Sequence, residues 1–269
     1  MRLEEKTVII VGGGQAPGAS DTIGNGRATA LLFAREGAKV CCVDRHLESA
    51  QETADLILKE GGVATAQAAD VTDEAALEFT IKDFASKWGR LDILHNNVGV
   101  SVEGGDAPLE QVSTEAFERI FDINLLGTML ACKHALPIMR AQKSGAIVNI
   151  SSASAYWTAH PTVLYPASKM AMASFTRQIA IQNADAGIRA NTILPGLMDT
   201  PMAVDRRVET TGRSREDIAA ERNAKVPLLN KMGTGWDVAH AALFLASDEA
   251  AFITGIELPV DGGSLARVG

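Results

Sequence analysis

Thr7-Val8-Ile9-Ile10-Val11 runs directly into Gly12-Gly13-Gly14, and after a polar loop Gly24-Asn25-Gly26 opens Arg27-Ala28-Thr29-Ala30-Leu31-Leu32-Phe33-Ala34-Arg35-Glu36, which Gly37 closes. An apolar, β-branched run ending in glycine is the pattern of a strand buried on both faces. The second segment has helix composition and a glycine stop. Strand, glycine loop and helix in this order make a dinucleotide-binding start. Backbone N–H groups without side chains in the way can approach a pyrophosphate, and the helix N-terminus favours its charge.

The alternation continues along the chain. Strands are expected at 39–44, 63–68, within 91–99, at 145–150, at 188–196 and within 252–263, with helices at 47–60, 75–88, from Ser113 or Thr114 towards Met139, from 163 to about 184, and at 236–246. Right-handed β-α-β connections between such elements give a parallel sheet. The predicted fold class is α/β: a Rossmann-type, doubly wound, seven-stranded parallel sheet with helices on both faces. No linker or shift in composition divides the 269 residues, so one domain spanning 1–269 is expected.

A net charge of −8 gives no reason to expect attraction to nucleic acid or an anionic membrane. Cys41, Cys42 and Cys132 have no metal-ligand spacing and read as small buried hydrophobes in a reducing compartment. The five histidines form no ligand grouping, and no metal is expected. His95 reads as a strand residue, and His134 and His240 as helix-surface residues. The first residues have no apolar h-region and no run of 18 apolar residues follows, so a cytoplasmic protein is expected.

Tyr165-Pro166-Ala167-Ser168-Lys169 places a phenol and an ammonium four residues apart, on one face of a helix. A tyrosine acting as a base near neutrality needs its pKa of about 10 lowered by roughly 4 kcal/mol. One cation at about 4 Å supplies that much at an effective dielectric of about 20. Taken alone, the pair reads first as an ordinary polar pair on a helix. Ser152, at the end of the apolar run 145–150, could hold a carbonyl oxygen beside the phenol. Asn124, an amide in the apolar pattern Phe121-Asp122-Ile123-Asn124-Leu125, needs a buried partner.

With these four residues in order, the chain resembles the short-chain dehydrogenase/reductase family, whose Asn, Ser, Tyr and Lys tetrad falls on Asn124, Ser152, Tyr165 and Lys169. The resemblance covers nearly the whole chain. The family's glycine motif T-G-x-x-x-G-I-G maps to Gly13 and to Gly24, Asn25 and Gly26, with Gly12 for threonine and Asn25 for isoleucine. Seven extra residues fall between Gly14 and Ile23, with Pro17-Gly18 as a turn signal. An alternative register sets Ile23-Gly24 at the pyrophosphate. The longer loop either covers the diphosphate or bulges into solvent.

The resemblance also places Asp70 and Val71 at the adenine, although Asp70 to Asp73 could equally cap a helix. Asn96-Asn97-Val98-Gly99 matches N-N-A-G, setting Asn97 and Gly99 beside the cofactor while Asn96 ties strands. Pro195-Gly196-Leu197-Met198-Asp199-Thr200 matches P-G-x-x-x-T, bringing Pro195, Gly196, Met198 and Thr200 to the nicotinamide and phosphates. Asp44 ends the second strand, where a carboxylate accepts from a ribose diol and repels a 2′-phosphate, so NAD is expected over NADP. Arg45 partly offsets that repulsion, and Asp44 could instead cap the next helix.

Residues at about 198–226 would form a substrate lid, or a solvated helical flap. Tyr156, Trp157, Ala159 and His160 would line a pocket wall opposite Leu197, Met198 and Met202. The family pairs its two long helices across subunits, implying a homodimer or homotetramer. The expected activity is NAD-dependent interconversion of a secondary alcohol and a ketone, the small-molecule substrate being cyclic, steroid-like or aryl. In that scheme Lys169 lowers the Tyr165 pKa and Asn124 fixes a water. The alternatives are an NADPH-preferring ketone reductase and a non-catalytic dinucleotide sensor.

Overall fold

A computed structural model describes residues 1–15, 21–158 and 160–267. The expected turn at Pro17-Gly18 and the pocket-wall residue Ala159 lie outside the described residues. The elements are β1 (Thr7–Val11), α1 (Asn25–Arg35), β2 (Lys39–Asp44), α2 (Leu47–Lys59), β3 (Val63–Ala68), α3 (Glu74–Trp88) and β4 (Ile93–Asn96). They continue with α4 (Thr114–Phe121), a π-helical turn (Asp122–Leu126), α5 (Gly127–Gln142), β5 (Gly145–Ile150), α6 (Leu164–Gln182) and β6 (Ile188–Pro195). The chain then adds β7 (Met198–Asp199), α7 (Arg206–Thr211), α8 (Arg215–Asn223), β8 (Gly233–Thr234), α9 (Gly235–Ala246) and β9 (Glu257–Val260).

Seven strands pair in parallel in the order β3-β2-β1-β4-β5-β6-β9, so the expected doubly wound sheet is present. The central strands β1, β4 and β5 are buried end to end because both faces are covered. Val8 and Ile10 of β1 face a cluster with Phe33 of α1, Ile57 of α2 and Leu243 of α9. Ile9 and Val11 face Leu77 and Ile81 of α3, Met139 of α5 and Ile179 of α6. A side chain such as Ile9, with 0% exposure, would cost about 2–5 kcal/mol if cut to alanine. The strand order reverses at β1, whose neighbours are β2 and β4, and the crevice beyond their carboxyl ends is where such a sheet takes a ligand.

β7 and β8 form a separate parallel ribbon that sequence reading missed, being two residues each. It brackets the segment expected as a lid. Ile218 of α8 packs with Val204, Val226 and Met232, so this segment has a small core of its own, and Asp205 is buried in an ion pair with Arg215. Among the described residues no helix is long and apolar enough to cross a membrane.

Candidate active site

The long helix expected to carry Asn124 is continuous from α4 to α5 but widens into the π-helical turn at Asp122–Leu126. Ser113, not Thr114, caps its start by accepting from the Ala116 amide at 3.1 Å. Asn124 lies inside the wide turn with 0% exposure. Its Oδ1 accepts from Val100 N at 2.7 Å, and its Nδ2 donates to Val100 O at 2.9 Å and to Ser168 Oγ at 3.0 Å. The amide thus clamps the loop after β4 to α6. It does so with its side-chain donors engaged, so the side chain is a tie between elements.

Ser152 leaves β5 with its Oγ accepting from Ser154 N at 3.1 Å and Ser154 Oγ at 2.9 Å. Both lone pairs are then used, and the one hydroxyl proton is left for a further acceptor. Ser154, buried beneath Ser152, is a supporting residue that nothing in the sequence marked. Lys169 is 2% exposed and donates to Ile150 O at 2.9 Å and Val98 O at 3.3 Å. Burial lowers its pKa to about 7.

Here the sequence expectation needs correction. The Tyr165 pKa is raised from its ordinary value by burial, with the Ser152 hydrogen bond opposing and the Glu103 charge adding. Lys169 faces main-chain oxygens, so in this chain desolvation outweighs any lowering by the ammonium. Asp106, which sequence reading also missed, sets the geometry of the helix start. It is 4% exposed and accepts from Val163 N at 3.2 Å, Leu164 N at 2.9 Å, Tyr165 N at 2.9 Å and Thr162 Oγ1 at 2.6 Å. The α6 amides that lack helix partners are satisfied there, and Tyr165 is held in place.

The glycine loop makes a close-packed turn. Gly12 has φ +84°, and a Cβ on Gly26 would fall 1.9 Å from Gly12 O. Gly12, which the motif alignment set aside in favour of Gly13, is the turn residue. Gly13 is tight against Cys42, with the Cα of Cys42 3.2 Å from where its own Cβ would be. Asn97 Nδ2 donates to Gly12 O at 3.2 Å, tying β4 to this turn, and Asn96 donates to Asn149 Oδ1 of β5 at 2.8 Å. Gln15 pins the stems of the longer loop: its Nε2 donates to Thr22 O at 3.2 Å and its Oε1 accepts from Gly24 N at 2.7 Å.

Asp44 Oδ1 accepts from His46 N at 3.0 Å, while a Cβ on Gly14 would stand 2.6 Å from its Oδ2. The carboxylate therefore serves the start of α2 with one oxygen and borders the open glycine floor with the other. The N-terminus of α1 has no side-chain cap, and Asn25 Oδ1 is buried without a partner among the described residues. Free helix N–H groups, a glycine floor and a flanking carboxylate fit a dinucleotide's pyrophosphate and ribose.

The other expected cofactor residues lie as follows. Asp70 Oδ1 accepts from Thr72 N at 2.8 Å and Thr72 Oγ1 at 2.7 Å, closing a turn that lowers its pKa, while Asp73 caps α3. Val71 packs on Gly127 of α5, and Gly99 packs on Lys169. Gly196 packs on Asp261, with Pro195 buried beside it at the end of β6. Thr200 caps the turn Pro201–Asp205. Met198 is 4% exposed in the α1–α9 core and Leu197 packs in the lid core, so neither side chain forms the wall expected opposite Trp157. Tyr156 turns away to Glu257 Oε2 at 2.5 Å. His134 is not on an open helix surface but lies between α5 and α3, 3.0 Å from Glu74.

A family model described as enoyl-(acyl carrier protein) reductase matches residues 18–264. A crystal structure assigned to a short-chain dehydrogenase/reductase of Burkholderia xenovorans is 41% identical, superposes with a TM-score of 0.91 and covers 100% of this chain and 99% of its own. This chain belongs to the short-chain dehydrogenase/reductase family. It is an oxidoreductase of that family, whose members bind a nicotinamide dinucleotide. The 2,5-dichloro-2,5-cyclohexadiene-1,4-diol dehydrogenase LinX of Sphingobium indicum is 35% identical over 262 residues, 97% of either chain. A solved structure of levodione reductase is 32% identical with a TM-score of 0.91, covering 99% of this dehydrogenase/reductase and 100% of its own chain.

Proposed function

We propose that this oxidoreductase interconverts a secondary alcohol and a ketone on a ring-bearing substrate, with NAD as its cofactor. The observation that carries the reading is the convergence of Tyr165 and the buried Lys169, four residues apart on α6, with the Ser152 hydroxyl at the end of β5, whose two lone pairs are taken by Ser154. NAD, when bound, supplies the hydride acceptor at the substrate carbon. Ser152, its lone pairs taken by Ser154, donates to the substrate oxygen. Tyr165, kept protonated by its raised pKa, gives its phenol proton to the ketone oxygen as a general acid in reduction, and the phenolate so formed is the base that takes the hydroxyl proton in the reverse direction. Asn124 holds the loop after β4 in register with Tyr165, and Asp106 fixes the backbone of Tyr165 itself.

The cofactor sits across the crevice from the Gly12–Gly14 turn to Gly99, Pro195, Gly196 and Thr200, with Asp70 and Val71 towards the adenine. Asp44 favours NAD because its open oxygen suits a ribose diol and repels a 2′-phosphate. Arg45, the residue that could counter this, has its Nε engaged by His46 at 3.0 Å. The lid reading is supported by an ion pair between Arg206 of α7 and Glu103 of the loop after β4, at 2.5 Å. Exposed Phe117, Leu126 and Met129 along α4–α5 and Ile181 on α6 support a homo-oligomer. The substrate reading draws on LinX, whose name specifies a ring-borne diol.

The test is absorbance at the reduced-nicotinamide band with NAD or NADP over cyclic, steroid and aryl secondary alcohols, with Tyr165→Phe as control. NAD reduction by ring alcohols, lost in Tyr165→Phe while cofactor still binds, is the expected result. Unchanged turnover in the variant sinks the assignment, and faster turnover with NADP reverses the cofactor reading.

A further inference from the structure

In the sheet β5 lies between β4 and β6, so a contact joining the segment after β6 to the loop after β4 spans the carboxyl end of β5. Ser152 emerges at that end. Lys169 donates there to Ile150 O at 2.9 Å and, on the β4 side, to Val98 O at 3.3 Å. One ion pair makes the join: Nη1 of Arg206, the first residue of α7, lies 2.5 Å from Glu103 Oε1.

The two halves of this pair are held differently. Glu103 belongs to a short 3-10 turn, Val102–Gly104, whose surroundings are pinned to the catalytic elements. Asn124 holds Val100 at 2.7 and 2.9 Å, Gly104 O accepts from Arg119 Nη1 at 3.2 Å, and Asp106 accepts from the Tyr165 amide at 2.9 Å. The charge of Glu103 is near enough to act on the Tyr165 phenol. Arg206 stands on the lid, whose other ion pairs close within it or at its base: Arg213 and Lys225 meet Glu221, and Arg215 meets Asp199 and Asp205. Among the described residues no other ion pair joins α7 or α8 to the loop after β4.

We propose that the Arg206–Glu103 ion pair is a latch that holds the lid shut across the crevice and sets how fast the nicotinamide dinucleotide leaves. The inference rests on the dinucleotide reading of the crevice. The Arg206 and Glu103 side chains are 40% and 31% exposed. A pair so exposed shifts an opening equilibrium by only about two- to fivefold. That suits a closure which must open in every cycle, since lid opening and product release limit turnover in many enzymes.

The experiment displaces bound NADH with excess NAD and follows the loss of NADH fluorescence by stopped flow. It compares the wild type, Glu103→Gln, Arg206→Met and the exchanged pair Glu103→Arg with Arg206→Glu. Release is expected to be about two- to fivefold faster in each single variant and to return towards the wild-type rate in the exchanged pair. Raising the salt from about 0.05 to about 0.5 M should speed the wild type towards the single variants while leaving those variants unchanged, because exposed charges are screened. Unchanged release in the single variants overturns the latch. So does fast release in the exchanged pair, which would mean that either side chain touches the dinucleotide itself. No alcohol takes part, so the result stands apart from the substrate assignment. Failure of NADH to bind counts against the NAD reading alone, and displacement of NADPH by NADP then decides the latch; binding of neither overturns both.

Discussion

The Lys169 ammonium stands 5.8 Å from the centre of the Tyr165 ring and gives its protons to the Ile150 and Val98 carbonyl oxygens. Its pKa is about 7 in the folded chain against 10.5 for a free lysine. Between those values the unfolded chain binds a proton that the folded chain does not, so stability rises with pH from about 7 towards 10.5. Lys169→Met should flatten that rise. Urea unfolding at pH 7 and pH 9 reads it directly, and parallel pH dependence in the two proteins would show the ammonium is not desolvated.

Asp44→Ser should weaken NAD by about 10- to 100-fold, the worth of a hydrogen bond to a charged group, while improving NADP. Cofactor KM values for both dinucleotides at fixed alcohol check this. If NAD is unaffected, the carboxylate acts only through the His46 amide that it accepts at 3.0 Å.

His95, with 0% exposure in β4, has neither ring nitrogen partnered among the described residues, and burial lowers its pKa to about 4. Between about 4 and the free value of 6.5 the unfolded chain holds the extra proton, so His95 makes stability fall as pH drops through that window. His95→Leu should stabilise the fold by about 1 kcal/mol at neutral pH, as an unpaired buried polar group is removed. The gain should be larger at pH 5 by denaturant titration; a loss at both pH values would mean that His95 is paired in solution.

Asn124→Ala strands the Val100 amide and carbonyl, both bonded by the side chain at 2.7 and 2.9 Å. The expected cost is about 1–3 kcal/mol, seen as a melting temperature lower by about 2–10 °C. Turnover should fall more than tenfold as the loop beside Tyr165 loosens. Calorimetric melting together with steady-state rates tests both, and a variant that melts normally would show that Val100 finds water instead.

Much of the fold was legible because period and punctuation agree. β1, β2 and β3 lie where their apolar runs lie, and Gly37 stops α1 with φ +90°. Strands buried on both faces announce themselves by composition, whereas β7 and β8 are two residues each and carry no periodicity to read. In the candidate site, side chains with conspicuous chemistry were found and their supports were not. Asp106 satisfies the Tyr165 amide 59 residues along the chain, where a spacing rule does not reach, whereas Ser154 lies two residues from the Ser152 that it serves and bears no motif to mark it. The sign of the Tyr165 shift was misread for a related reason: i,i+4 spacing counts the lysine but not the desolvation of the phenol. Likewise Met198 sits in a stretch that matches a cofactor motif, yet its side chain belongs to the core.

The π-helical turn around Asn124 amounts to a single surplus residue in an otherwise regular helix. Removing one residue there would restore the ordinary winding and keep the positions beyond it in phase, but would close the wide turn that seats Asn124. The connection between this helix and the loop after β4 is therefore encoded in chain length as much as in the identity of Asn124. A lineage could gain or lose it through one insertion or deletion, an event that point substitution alone does not reproduce.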